Sequence, residues 1–197
     1  MTRDATSFDT LYKAEQDPWN YETSAYEAEK YRRCLALLPR CRYTRGLEIG
    51  CFIGVMSAAI ARRCDSLLAL DFAPTAVARA RARGIPNARF EVAAIPAEWP
   101  AGRWDLIVLS KVLYYLDPAG LDRTVAVVAK SLTAGGCCLV AGHTGPTETT
   151  LSALDVQDRL LHGLAEAHPR HAIYKDRDAS WIAAIFECRI GPAAGWR

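Results

Sequence analysis

Arg45-Gly46-Leu47-Glu48-Ile49-Gly50-Cys51-Phe52-Ile53-Gly54 reads as a short buried strand ending in an acid, then a glycine-spaced turn, then a helix starting near Val55. A turn of this kind predicts backbone N–H groups and a helix N-terminus close to a bound ligand. The next apolar run, Ser66-Leu67-Leu68-Ala69-Leu70, ends in Asp71. An acid there stands at the crevice of an open α/β sheet, where it can accept hydrogen bonds from ribose hydroxyls. One acid before the glycines and one after the second strand suit a nucleoside that also carries an amino group.

Outward from this stretch, strand and helix alternate. Apolar runs predict strands at 46–49, 67–71, 88–92 and 104–109, with a further one at 137–141 after the Gly135-Gly136 turn. Helices are predicted at 55–63, at 74–83 with Pro74 at the start and Gly84 at the end, and from the Asp117-Pro118 cap to about 132. Residues 24–38 place Tyr26, Tyr31, Leu35 and Leu38 near helical spacing, and Pro39 follows. Near-continuous apolar strands between helices indicate a parallel sheet covered by helices on both faces. After a helix near 151–167, the runs 172–175 and 181–187 are separated only by Asp176-Arg177-Asp178-Ala179-Ser180. That spacer is too short for a crossover helix and predicts an antiparallel hairpin.

The chain has 197 residues, enough for one domain with a substantial core. The expectation is a single domain over 1–197, with a helical segment at 1–40 and an α/β core at 41–197. A net charge of +2, with scattered arginines, gives no reason to expect nucleic acid as partner. Arg79, Arg81 and Arg83 read as a solvated helix face. No run reaches the ~18 apolar residues of a membrane span, and Met1-Thr2-Arg3-Asp4 lacks the apolar core of a signal peptide. Seven cysteines without a C-x-x-C pair or clustered His ligands argue against a disulfide framework and a metal site, and for a cytoplasmic setting.

These residues resemble a class I S-adenosylmethionine (SAM)-dependent methyltransferase, and within that group the NodS family of nodulation N-methyltransferases. The resemblance rests on Asp17-Pro18-Trp19-Asn20-Tyr21, Ser24-Ala25-Tyr26-Glu27 with Lys30-Tyr31, Gly46-Leu47-Glu48-Ile49-Gly50-Cys51, and Val112-Leu113-Tyr114-Tyr115-Leu116. It implies a Rossmann-like, seven-stranded, mostly parallel sheet with a C-terminal antiparallel hairpin, and SAM as cofactor with S-adenosylhomocysteine (SAH) as product. SAM is a nucleoside with an amino group, as the two acids ask. Glu48 with the Gly50-Cys51 backbone and Gly54 would hold the methionine end. Asp71 would hold the ribose, Phe72 would pack on adenine, and Ser110 and Lys111 would line the methyl-donor side. Residues 17–31 would form a lid, with Trp19 against the cofactor and Lys30 near its carboxylate or, equally, a solvated helix charge. A lid excludes water from a reaction between a neutral nucleophile and a sulfonium.

Three positions depart from the pattern. Phe52 is bulky where relatives carry Gly or Ala, and it would narrow the turn or point into the core. Ala93-Ala94-Ile95-Pro96 has no acid before Glu98, so the adenine would be held by backbone and apolar groups at Ala94 and Ile95. Lys111 stands where the nodulation enzymes carry an acid. A cation there disfavours a positively charged amine and makes a chitooligosaccharide amine the less favoured acceptor within the expected class of small molecules and saccharides. Candidates for handling the acceptor's proton are His143, since an imidazole can take a proton near neutrality, and the tyrosines Tyr114 and Tyr115, with Lys111 on the same side. N-methylation is the favoured reading. The alternatives are O-methylation of a hydroxyl or carboxylate, a non-catalytic SAM binder, and an NAD-binding oxidoreductase, which would want a tighter G-x-G-x-x-G turn than Gly50-x-x-x-Gly54.

Overall fold

The computed structural model describes residues 5–147 and 149–190; Met1-Thr2-Arg3-Asp4 lies outside them. Its strands are β1 (Tyr43–Ile49), β2 (Cys64–Asp71), β3 (Ala88–Val92), β4 (Trp104–Ser110), β5 (Leu132–His143), β6 (His171–Arg177) and β7 (Trp181–Cys188). Its helices are α1 (Ala5–Ala14), α2 (Ala25–Ala36), α3 (Val55–Ala61), α4 (Pro74–Ala82), α5 (Pro118–Ser131) and α6 (Ala153–Ala167). The strands join in one seven-stranded sheet, ordered β3-β2-β1-β4-β5-β7-β6. β1 to β5 are parallel, and β7 runs antiparallel between β5 and β6. This is the expected Rossmann-like sheet with its terminal hairpin.

Alternating side chains give the sheet two apolar faces. Leu106, Val108, Leu139 and Ala141 pack with Leu35 of α2, Ile60 of α3 and Val77 of α4. Ile107, Leu109 and Val140 pack with Leu121 and Val128 of α5 and Leu160 and Leu164 of α6. Ser24 caps α2 by accepting the Glu27 N–H at 3.2 Å, and Asp117 caps α5 by accepting the Gly120 N–H. α4 has no capping side chain of its own; Asp9 of α1 accepts the Thr75 N–H at 3.0 Å and so ties α1 to the core.

Several local expectations change. The fifth strand begins at Leu132, before Gly135-Gly136; its register to β4 slips between Trp104 and Leu106, so the glycines form an irregularity inside the strand. The helix near 55–63 stops at Ala61, and α1 is an element that periodicity did not single out. Arg81 and Arg83 are exposed, as a solvated face asks, and Arg79 is half-buried, yet all three also anchor neighbouring segments. Arg79 donates to the Gln16 carbonyl at 3.0 Å, Arg81 donates to the Phe90 carbonyl at 2.7 and 2.9 Å, and Arg83 donates to Ile53 and Glu22. Among the described residues no helix is long and apolar enough to cross a membrane. All seven cysteines are free, and six are buried.

Candidate active site

Strand register brings the chemistry to one edge. Glu48 pairs with Ala69 and Val108, and Ile49 pairs with Leu70 and Leu109, so Glu48, Asp71 and Ser110 emerge together. β1 lies between β2 and β4, where the direction of strand succession reverses, the place at which open α/β sheets bind ligands. A cavity of about 450 Å³ opens there. Lining it are Trp19, Lys30, Glu48, Gly50, Cys51, Asp71, Phe72, Ser110, Lys111, Tyr114 and His143 of the residues singled out from sequence. Gly54, Ala94 and Ile95 are not among the lining residues. The Ala94 N–H is taken by the Glu98 carboxylate at 2.7 Å, so this acid, the first after the third strand, closes its own loop.

The glycine turn works differently from its sequence reading. Gly50 and Gly54 sit at φ +77° and +79°, and a Cβ on either would crowd Val112 or Ala80 at 3.2 Å. Their neighbour Phe52 also has positive φ, 48°. It is buried, as a residue pointing into the core would be, in a small cluster with Phe8, Tyr12 and Ile53. It inserts among Tyr12, Trp19 and Tyr21, with ring centroids 4.6 to 5.6 Å away. The turn's donors are consumed internally: Gly50 and Cys51 both donate to the Leu70 carbonyl, at 2.8 and 3.0 Å, and Gly54 donates to Cys51 at 2.9 Å. Phe52 donates to Asp71 Oδ2 at 2.9 Å, and Ala73 donates to Oδ1 at 3.0 Å. The expected array of N–H groups aimed at a ligand is therefore absent at these four positions. A diphosphate needs such donors; an ammonium group does not.

What the turn offers instead is carboxylate. Glu48 is 2% exposed and receives the Ser57 hydroxyl. Burial pushes its carboxyl up to about 7, against the Ser57 bond and with help from the Asp71 charge. Burial likewise pushes Asp71 up to about 6, against its backbone N–H donors. Two acids held this way gain most from a ligand that brings positive charge and hydroxyl donors.

The opposite wall comes from α2 and the segment after β4. Lys30 is not a solvated helix charge: it is 4% exposed and hydrogen-bonds Glu27. Glu27 also meets Lys111 Nζ at 3.1 Å. Although burial works to raise Glu27, Lys111 and Lys30 outweigh it and hold the carboxyl below its usual range. Burial, and then Lys30, lowers Lys111 to about 7 in spite of Glu27. Tyr114 is buried, and burial beside Tyr115 raises its phenol, so Tyr114 keeps its proton. His143 ends β5 opposite Trp181, and both line the cavity.

Aromatic rings complete the enclosure. Trp19 stacks on Tyr21 at 5.6 Å, and Phe8 packs on Phe72 and Tyr115 at 5.5 and 5.1 Å. Sequence reasoning quoted Glu27 in a motif without giving it a role, and gave none to Phe8, Tyr12, Ser57 or Trp181. For Glu27 a signal existed: at i,i+3 to Lys30 it shares a helical face with that lysine. For Phe8 and Trp181, which arrive from opposite ends of the chain, there was none.

The model of the NodS family, nodulation protein S, matches residues 8–142. Nodulation protein S of Sinorhizobium fredii is 31% identical over 156 residues, covering 72% of this chain and 72% of that protein. Nodulation protein S of Bradyrhizobium diazoefficiens is 28% identical over 172 residues, covering 80% of this chain and 79% of its own length. The crystal structure of the N-methyltransferase NodS from Bradyrhizobium japonicum, in complex with SAH, shares the fold at a TM-score of 0.76 and 23% identity, over 94% of this chain and 99% of that one. This chain belongs to the NodS family.

Proposed function

We propose that this member of the NodS family is a SAM-dependent methyltransferase that delivers the methyl group to the nitrogen of a small-molecule acceptor. The observation that carries the reading is Glu48: a carboxylate buried at the sheet's switch point, with its carboxyl driven up by desolvation. A ligand ammonium is the partner that such a group lacks. A solved NodS relative is described as an N-methyltransferase holding SAH, which supports both the cofactor and the N-methyl reading. The spent N–H groups of the turn speak against a dinucleotide.

The residues present fit SAM. Glu48 would hold its ammonium, Lys30 the carboxylate on the same carbon, and Asp71 the ribose, while Phe72 with Phe8 and Tyr115 forms an apolar niche for the adenine. When bound, SAM supplies a methyl group already activated by its sulfonium. The protein's part is alignment and exclusion of water, and alignment alone can lower a barrier by roughly 7–11 kcal/mol. Trp19, Tyr21 and Phe52 shield the cavity, and α2 walls it. His143 is the residue proposed to take the acceptor's proton; Tyr114 supplies a hydrogen bond instead, because its proton stays on. We read the chain as a single domain working in the cytoplasm, where its unpaired thiols are stable. A saccharide amine falls within the acceptor class.

Incubation with methyl-labelled SAM and a panel of amines, alcohols and carboxylic acids tests this. Label on nitrogen is the expected product. Label on oxygen would move the assignment to O-methylation, and SAM binding without transfer to any acceptor would contradict catalysis.

A further inference from the structure

The acceptor side of the cavity gathers one carboxylate, Glu27, between two ammonium groups, Lys30 and Lys111. Two features could welcome an incoming cation there, a carboxylate and the faces of aromatic rings, and the protein's own lysines occupy Glu27 and three of the rings, Tyr21, Tyr26 and Tyr31. Glu27 is engaged twice. Lys111 Nζ stands 3.9 Å from the centre of the Tyr21 ring, and Lys30 Nζ stands 5.3 and 5.5 Å from those of Tyr31 and Tyr26. The other cavity carboxylates, Glu48 and Asp71, lie on β1 and β2, across from α2, and face the cofactor side.

With Lys30 shared between Glu27 and the cofactor's carboxylate, Glu27 and Lys111 leave no unpaired negative charge for an incoming cation. Burial and the neighbouring Lys30 charge already work against the Lys111 ammonium, so a further cation beside it is disfavoured for the same two reasons. A bound sulfonium adds another positive charge to the same small, poorly solvated space, where like charges repel strongly. A protonated amine also has no lone pair to give.

Resting on the methyltransferase reading above, we propose that Lys111, fixed by Glu27 and Tyr21, is a specificity-determining residue that excludes cationic acceptors. The acceptor is then a small amine that is uncharged in water near neutral pH, its basicity lowered by oxygen or aromatic substituents, and not an alkylammonium. The charge cluster selects the nucleophile in its reactive form before it reaches the methyl group.

The test uses the whole chain with two amines of matched ring size: aniline, uncharged at pH 7, and cyclohexylamine, an ammonium at pH 7. SAH is titrated first, by calorimetry, into wild type, Lys111→Met and Lys111→Glu. The SAH complexes are then titrated with each amine. Wild type is expected to bind aniline roughly tenfold or more tightly than cyclohexylamine, a preference weakened in Lys111→Met and reversed in Lys111→Glu. Equal affinity of wild type for both amines, or an order unchanged in Lys111→Glu, overturns the proposal while leaving the methyltransferase reading intact. Loss of SAH binding in Lys111→Met also overturns it, because the lysine then serves the cofactor. Failure of wild type to bind SAH overturns both readings together. If Lys111→Glu does not fold, the wild-type order and Lys111→Met still decide.

Discussion

Asp71 clamps Phe52: its Oδ2 accepts the Phe52 N–H at 2.9 Å and so holds a bulky residue at positive φ inside the cofactor turn. The acid expected to serve a ribose therefore also shapes the loop beneath it. Removing the carboxylate leaves a buried N–H unpaired, which costs about 1–3 kcal/mol. Asp71→Ala should lower the melting temperature as well as weaken SAM binding. Calorimetric unfolding and SAM titration on the same sample check both; unchanged SAM affinity would contradict the ribose role.

Glu48 makes SAM binding depend on pH. Its folded carboxyl is raised from 4.5 to about 7, so the fold favours the protonated form. The unfolded chain ionises first, so the stability Glu48 contributes below about pH 4.5 is lost as pH rises to about 7, with no further loss above. The ligand's ammonium prefers the ionised acid, so SAM affinity should climb through the same window, by up to about tenfold per pH unit, and level off near 7. Asp71, raised from 3.8 to about 6, acts in the same direction lower down. Dissociation constants measured across this range should show the climb in wild type and a flatter profile in Glu48→Gln.

Arg33 fastens α2 to the turn between β6 and β7. It donates to Asp176 at 2.6 and 2.9 Å and to Asp178 at 2.7 Å, and its guanidinium lies 4.7 Å from the Trp181 ring centre. The partner carboxylates are part exposed and screened by solvent, so Arg33→Ala should change global stability little. The larger effect should be local. Hydrogen exchange should speed up in α2 and in the turn at 178–180, and SAH should dissociate faster. Unchanged exchange in α2 would show that the helix is held by its apolar face alone.

His143→Ala should leave SAM affinity untouched and lower turnover roughly 10²–10⁴-fold, the range of a lost general base. Steady-state kinetics with an identified acceptor reads this directly. Turnover that survives the substitution removes His143 from the mechanism.

Much of the fold was legible because apolar runs and turn residues are local signals. The run from Gly46 to Gly54, the Asp117-Pro118 cap and the five-residue spacer before Trp181 each carried an element or a turn. The start of β5 was hidden because Gly135-Gly136 looks like a loop, yet sits in a register slip that only β4 reveals. At the site, Glu48 and Asp71 could be picked out because charged residues at the ends of apolar strands need partners, whereas Lys111 followed from the family resemblance. The direction of the turn's N–H groups could not, since it depends on Leu70 and Asp71 folding back over it. Nor could Lys30 be told from a surface lysine until Glu27, Tyr26 and Tyr31 were seen around it.

The central claim is that this cavity takes SAM and not a dinucleotide. Calorimetric titration of the full chain at pH 7.5 with SAM, and separately with NAD, tests it most directly. One saturable site for SAM, weakened in Glu48→Gln, and no saturable heat with NAD are expected. Saturable NAD binding, or SAM affinity equal in wild type and Glu48→Gln, would contradict it.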